Sequence, residues 1–317
     1  QAKRTKNILE LSKEAPYKRI LTGSPVTQSP MDLWSQMDFL EPEILGQQSF
    51  YAFRTKYAVL ITASAAGGTH KFQKIVKFKN LKELGKLVSP HSYRILKKDC
   101  LDLPDKIFTK RIIELSDEQK KAYSEMKTSA ITILKGEPAT AVNVLTQLIK
   151  LHQITCGHMK TDNGDIINLK NSRLDELMQI LGETTGKAII WANYIHDINT
   201  IESAIKKEFG LDSYCTYYGA TKQEDRQACI NKFQDETNPV RFFIGNTQTG
   251  GYGITLTQAS TVIYYSNNYD LEKRIQSEDR AHRIGQKNPV LYVDLVAKET
   301  VDEKIIQALR NKVNIAS

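Results

Sequence analysis

Gln276-Ser277-Glu278-Asp279-Arg280-Ala281-His282-Arg283-Ile284-Gly285-Gln286 decides how the rest of the chain is read. Gln276, Arg280 and Arg283 are spaced four and then three residues apart, so a helix would stack all three on one face. Two guanidiniums beside an amide suit phosphate oxygens, because the planar fork of arginine matches an oxyanion in a bidentate way. A solvated helix face with an Asp279/Arg280 charge pair is the plain alternative. The Arg pair, the Ile284-Gly285 stop and the sequence upstream favour the phosphate reading.

From residue 173 onward, short apolar runs alternate with amphipathic ones. The pattern predicts helices over Arg173–Leu181, Ile195–Phe209 and Lys222–Phe233, and strands over Ala188–Ala192, Ser213–Tyr217 and Val240–Gly245. A Gly-rich turn, Thr247–Gly253, is followed by a strand over Val262–Tyr265 and the Arg-bearing helix. Strand Val290–Val296 and a helix capped by Thr300-Val-Asp-Glu303 close the series. Such alternation means βαβ units around a buried parallel sheet, an α/β fold whose ligands bind at the carboxyl ends of the strands. In Ile244-Gly-Asn-Thr-Gln-Thr-Gly-Gly-Tyr-Gly-Ile-Thr-Leu256, Thr247, Thr249, Gly250, Gly251 and Gly253 lie at that edge. There, bare amides and hydroxyls can approach a phosphate backbone. Alone, the same pattern also fits a purely structural turn.

The first hundred residues look mixed. Lys18–Pro25 reads as a short strand entering a turn, and Met31–Leu40 as a helix that stops before Pro42. Residues 50–78 alternate with aromatics around Ala65-Ala-Gly-Gly68, a hairpin pattern. Lys79–Lys98 reads as helix, and Leu101–Asp105 breaks the pattern and is the preferred domain boundary. An extended Phe108–Leu115 follows. Ser116-Asp-Glu-Gln119 then has the spacing of a capping box, and a second helix is expected near Ala139–Ile154.

A chain of 317 residues has room for about two domains. Its 44 basic and 36 acidic residues leave a formal charge of +8, which suits a polyanionic partner. No apolar run long enough for a membrane span is present, and the amino terminus has no apolar leader region. The first residue is not Met, which suggests a processed chain or a piece of a longer one. Cys100, Cys156, Cys215 and Cys229 are scattered, and four reduced thiols are expected. His152, Cys156 and His158 cluster but lack a fourth ligand, so no metal site is expected.

At this point the chain resembles the helicase-like ATPase motor of the Swi/Snf (sucrose-nonfermenting) family in helicase superfamily 2. Leu21-Thr-Gly-Ser-Pro25 is similar to that family's motif III, usually Leu-Thr-Gly-Thr-Pro, with Leu33-Trp34 and Phe39-Leu40-Glu-Pro42 continuing the match. Arg94, Lys97 and Lys98 before Leu103-Pro104-Asp-Lys106 resemble the basic segment that leads into the second lobe. Ile149-Lys-Leu-His-Gln-Ile154 is similar to a helix that normally reads Leu-Arg-Leu-Arg-Gln-Ile. Lys187–Tyr194 resembles motif IV, Thr249–Leu256 motif V, and Gln276–Gln286 motif VI. The short insert at 50–78 looks like the compact annealing-helicase-like and phage or bacterial branches.

The resemblance implies two RecA-like lobes. Residues 1–105 would be the tail of the first, 106–172 a linker or helical protrusion, and 173–317 the second. It implies that Arg280 and Arg283 are arginine fingers on ATP and that Gln276 orients them or the nucleotide. Gly251, Tyr252 and Gly253 would border the nucleotide, and Thr22, Gly23 and Ser24 would couple hydrolysis to lobe movement. Thr247, Thr249 and Gly250 would meet duplex DNA through its backbone. ATP and Mg²⁺ are implied for the intact enzyme, with no membrane partner and an intracellular setting (nucleoid, cytoplasm or nucleus). Lys71, Lys74, Lys77 and Lys79 make the hairpin either a DNA-facing element or an edge kept soluble by charge.

Ser24 replaces the usual Thr, Gln28-Ser29 stand where Asn-Asn is frequent, and Thr255 replaces Asn. No G-x-x-x-x-G-K-[ST] loop occurs. Gly182-Glu-Thr-Thr-Gly-Lys187 is one residue short, is followed by Ala188, and precedes a strand instead of following one. No Asp-Glu pair follows an apolar strand, so the metal-holding and ATP-cradling groups belong to a first lobe that this chain does not carry whole. The expectation is a motor portion that hydrolyses nothing alone. A stand-alone binding lobe, an RNA helicase and a restriction-type translocase are the alternatives. The RNA enzymes usually read His-Arg-x-Gly-Arg, unlike Arg283-Ile-Gly-Gln286.

Overall fold

Ala188-Ile-Ile-Trp-Ala192 is buried at every residue, as a strand must be when helices cover both faces of its sheet. A computed structural model describes residues 3–26, 28–64, 71–136, 141–250 and 253–316. At 64, 71, 98, 130–136, 141–144 and 312–316 the backbone alone is described. Packing divides the chain into two compact units, residues 1–99 with 311–317 and residues 100–310.

The first unit holds α1 (Lys3–Lys13), α2 (Leu33–Leu40), α3 (Phe50–Tyr57), β1 (Ala58–Ser64), β2 (Lys71–Phe78) and α4 (Leu81–Val88), with α5 (Lys97–Cys100) at its end. Ser29 caps the turn before α2, accepting from Met31 N, while the Asp32 carboxylate accepts from the Gln28 and Ser29 amides. Trp34, Phe53 and Tyr57 pack in series as tilted rings, 5.4 and 4.9 Å between centres, and build the core with Met37, Leu45 and Leu84.

Three expectations change here. Residues 50–57 are helix and not strand, because Ser49 caps them and Phe53 and Tyr57 share one buried face four residues apart. Ser89-Pro90 breaks the helix expected over Lys79–Lys98. Lys18–Pro25 forms no strand: it has no ladder partner, and Tyr17 and Leu21 are 92% and 97% exposed.

The second unit opens with β3 (Lys106–Ile113), α6 (Asp117–Gly136) and α7 (Ala141–Thr155), in the stretch expected to lead into it. A small antiparallel pair, β4 (His158–Lys160) and β5 (Ile166–Asn168), follows, turned at Gly164 with φ 96°. Then come α8 (Ser172–Glu183), β6 (Lys187–Trp191), α9 (Ile195–Phe209), β7 (Tyr214–Tyr217), α10 (Gln223–Gln234) and β8 (Phe242–Gly245). The chain ends with α11 (Thr247–Gly250), β9 (Ala259–Tyr264), α12 (Leu271–Ala281), β10 (Val290–Ala297) and α13 (Val301–Ala316). Six strands form one parallel sheet in the order β3-β10-β9-β6-β8-β7.

Strand parity sorts the core. Ala188 and Ile190 point to the face packed by Leu177, Leu181, Ile198 and Ile201 of α8 and α9. Ile189 and Trp191 point to the other, against Phe233 of α10 and Ala281 of α12. The order reverses at β6, since β7 and β8 lie on one side of it and β9 and β10 on the other. A crevice therefore opens at the carboxyl ends of β6, β8 and β9, the position where such sheets bind ligands.

One sequence expectation fails here too. Cys215 and Cys229 form a disulfide, because β7 and α10 bring their Cα atoms to 5.6 Å, while Cys100 and Cys156 are free. Among the described residues no helix is long and apolar enough to cross a membrane.

Candidate functional site

Of the second unit's singled-out residues, Thr247 lines the crevice at the strand ends, whereas Gln276, Arg280 and Arg283 lie toward the far end of α12, whose last turn packs beside the amino ends of β3 and β9. After β8, Asn246 turns the chain: its Nδ2 donates to the carbonyls of Ala192 and Asn193 at 3.1 and 2.8 Å, and its Oδ1 accepts from Gln248 N. Helix α11 starts there, with Thr247 buried and Thr249 half-buried. Gly250 is buried as well, and a Cβ at this position would stand 2.5 Å from the Trp191 ring. Its glycine is thus accounted for by close packing, and it does not face outward as expected from the sequence. Gly253 is exposed with φ +71° and open space around it, so its need for glycine is conformational. Gly251 and Tyr252 lie outside the described residues.

From Gly253 the chain returns to α12 through a latch. Arg280 Nη1 and Arg283 Nη1 both donate to the carbonyl of Ile254, at 3.2 and 3.3 Å, and Leu256 N donates to Arg280 O at 2.9 Å. Arg280 Nε also donates to Gln276 O at 2.9 Å. Arg283 lies beyond the helix, which ends at Ala281, so the shared face is completed by a turn and not by helical spacing. Burial, and then the neighbouring Arg283 charge, push the Arg280 guanidinium below its usual pKa range. Gln276 Nε2 donates to Glu272 Oε1, while its Oε1 is buried with no protein partner. Gln286 fixes the stop: Nε2 donates to the carbonyls of Thr257, Ala259 and Ala281, and Oε1 accepts from the amides of Lys287 and Asn288.

In the crevice itself, Asn193, Thr247, Ser266, Asn267, Asn268 and Arg274 line a small polar cleft. Asn193 Nδ2 and Thr247 Oγ1 are buried there without a hydrogen-bond partner, a costly arrangement for polar atoms unless a ligand completes it.

The sequence matches the SNF2-related domain over residues 1–160 and the helicase conserved C-terminal domain over residues 170–285. The chain belongs to the SNF2 family. An uncharacterized ATP-dependent helicase of Mycoplasma genitalium is 30% identical over 298 residues, covering 92% of this chain and 27% of that protein. The ATP-dependent helicase brm of Drosophila melanogaster is 28% identical, covering 95% and 20%. The chain thus spans about a quarter or less of the length of these curated relatives. The SWI2/SNF2 ATPase core of Sulfolobus solfataricus, solved in complex with double-stranded DNA, is 29% identical with a TM-score of 0.55, covering 98% of this chain and 64% of that one. The C-terminal part of the Fun30 ATPase domain, 21% identical with a TM-score of 0.55 over 66% of this chain and 90% of that one, shares the fold. The six-stranded sheet flanked by helices is the RecA-like core of these ATPases.

In this SNF2-family chain the remaining singled-out residues belong to the first unit. Thr22, Gly23 and Ser24 lie in the exposed segment before α2, where Ser24 N donates to Thr22 Oγ1 at 3.1 Å. Lys74 and Lys77 are exposed on β2, and the side chain of Lys71 lies outside the described residues.

Sequence reasoning missed the support beneath the SNF2-family Arg helix. The Arg274 guanidinium carbon lies over the Tyr264 ring, 3.5 Å from its centre, and the side chain donates to Asp294, Asn267 and Glu278. Asp294 in the apolar run Val290–Ala297 was the readable signal, since a carboxylate inside a buried strand needs a partner. The motif-like Lys187 caps the end of α10, donating to the carbonyl of Asp235 at 2.6 Å, so its run holds a helix terminus and not a phosphate. Among the described residues no group of three or more His, Cys, Asp or Glu side chains could hold a metal ion.

Proposed function

We propose that this chain is the C-terminal motor portion of an ATP-dependent translocase or remodeller of double-stranded DNA. Arg280 and Arg283 would supply arginine fingers to the ATPase site. Their convergence on the Ile254 carbonyl, in the segment that leads into β9 of a RecA-like sheet, carries the reading. Charge grows on the phosphoryl oxygens during transfer, and guanidiniums already in place stabilise it without reorganisation. Gln276 Oε1 accepts from the nucleotide or holds the helix, and Gly251, Tyr252 and Gly253 border the nucleotide.

Thr247, Thr249 and Asn193 contact the DNA backbone at the crevice; two orphaned polar atoms and the DNA-bound Sulfolobus relative support that role. Gly250 serves by letting α11 pack on Trp191. Thr22, Gly23 and Ser24 couple hydrolysis to lobe movement. The exposure of Tyr17 and Leu21 supports a first lobe, covering residues 1–105, whose sheet is completed by polypeptide outside this chain. Backbone contact predicts binding that ignores sequence and weakens steeply with salt.

The test is duplex binding and ATP hydrolysis by the purified chain. Weak, salt-sensitive duplex binding without hydrolysis is expected. DNA-stimulated hydrolysis by the 317 residues alone would refute the motor-portion assignment.

A further inference from the structure

The β1–β2 hairpin buries one face and leaves the other in water. Pairs Ala58/Phe78 and Leu60/Ile75 turn toward the first unit's core, where Ile75 and Phe78 pack, and Gln73 accepts from Arg54 of α3 at 2.7 Å. The alternate pairs Val59/Lys77, Ile61/Lys74 and Ala63/Phe72 face the opposite way, by the two-residue period of a strand. On that outer face Val59, Ile61 and Phe72 are 38%, 47% and 52% exposed, beside two exposed lysines and no acidic residue.

An edge hairpin that needs only solubility is served by charge, and leaving an aromatic and two β-branched residues in water works against it. Each lysine stands across from an aliphatic residue, so its methylene stem covers apolar surface while the ammonium projects past it. An exposed ring with Lys74 two residues along the same face, and Lys77 beyond it, can stack a base and hold phosphates along the strand. Duplex DNA hides its base faces in the stack, whereas unpaired nucleotides present them.

We infer that the outer face of this hairpin binds unpaired nucleotides, with Phe72 as the stacking platform and Lys74 and Lys77 on neighbouring phosphates. The inference rests on the DNA-gripping reading above and names the form of nucleic acid it meets.

The experiment measures binding of the purified chain to a fluorescent oligothymidine and to a blunt duplex. Phe72→Ala weakens oligothymidine binding about 5- to 150-fold, the range for loss of one stacked base, and leaves duplex binding unchanged. Phe72→Trp restores it. Lys74→Gln with Lys77→Gln lowers the salt slope on oligothymidine by about 1.4, roughly 0.7 for each cation lost. Should Phe72→Ala melt early, Phe72→Leu, which keeps apolar bulk without the ring, carries the same test.

Oligothymidine binding that ignores Phe72, or duplex binding that falls in parallel with it, overturns the inference. A chain that binds duplex but not oligothymidine refutes this inference and leaves the motor reading standing; one that binds neither refutes both. Polyglutamate binding lost in Phe72→Ala, with oligothymidine binding unchanged, reassigns the face to an acidic protein segment and also overturns it.

Discussion

Arg280 and Arg283 share one acceptor, each donating through Nη1 to the Ile254 carbonyl at 3.2 and 3.3 Å. Partial burial, and then the repulsion between two like charges on one neutral oxygen, hold the Arg280 guanidinium below its usual pKa range. An arriving phosphate oxygen relieves that repulsion. In an enzyme that joins this chain to a phosphate loop, Arg280→Ala or Arg283→Ala is expected to lower DNA-stimulated kcat roughly 10³-fold. Lys at either position should rescue poorly, because it lacks the planar fork. Steady-state hydrolysis with saturating DNA checks this; a kcat loss of less than about tenfold would remove the finger role.

Gly250 and Trp191 give a test of packing separate from chemistry. A Cβ on Gly250 would stand 2.5 Å from a ring with no exposed surface, so Gly250→Ala should cost about 1–3 kcal/mol through overpacking. Trp191→Phe removes the offending ring edge, and the double variant should be more stable than the two single losses added. Urea unfolding measures all four chains. Strict additivity would show that Gly250 is needed for a contact other than Trp191.

The alternation of apolar strands and amphipathic helices after residue 173 made the parallel sheet readable, because strands such as Ala188–Ala192 are buried on both faces and read as unbroken apolar runs. Arg280, Arg283 and Thr247 stood out because their chemistry is local in sequence. What stayed hidden depended on partners far along the chain. Arg274 meets Asp294 twenty residues away, and Cys215 meets Cys229 only once β7 and α10 pack. Phe53 and Tyr57 read equally well at period two or four, and the Ser49 cap settled it for helix. Lys18–Pro25 shows the reverse case, a β-prone run that forms no strand without a neighbouring ladder.

Arg274 is buried against three acceptors, so its loss strands Asp294 and Asn267 under the Arg helix. Arg274→Ala should cost about 3–5 kcal/mol, the range for removing one partner of a buried ion pair. Replacing both members, Arg274→Leu with Asp294→Leu, should recover most of it, since no unpaired charge remains. Urea midpoints of the single and double variants decide the matter. A small loss in Arg274→Ala would mean that water reaches Asp294.

Histidine burial sets the acid side of stability. His152 Nδ1 contacts the Tyr194 hydroxyl at 2.9 Å and Nε2 lies 3.7 Å from Asp302, which also binds Arg173 and Thr155. His158 and Asp197 pack beside them at 3.0 Å. Burial lowers the His152 pKa, against the pull of Asp302 and with help from Arg173; burial and then His158 lower that of His196. Below the ordinary value of 6.5 the unfolded chain therefore takes up protons that the folded one refuses. Their stabilising contribution is complete above that pH and is lost as pH falls through it. Asp302 behaves differently: burial would raise its pKa, but the Arg173 charge outweighs this and holds it below 3.8, so its contribution disappears only in stronger acid. The urea midpoint should be flat near neutrality, fall from about pH 6.5 downward, and fall again below about pH 4. His152→Gln should shrink the first fall to the part due to His196 and spare the second, whereas a midpoint that holds steady down to about pH 5 would show that His152 and His196 accept protons without opening the fold.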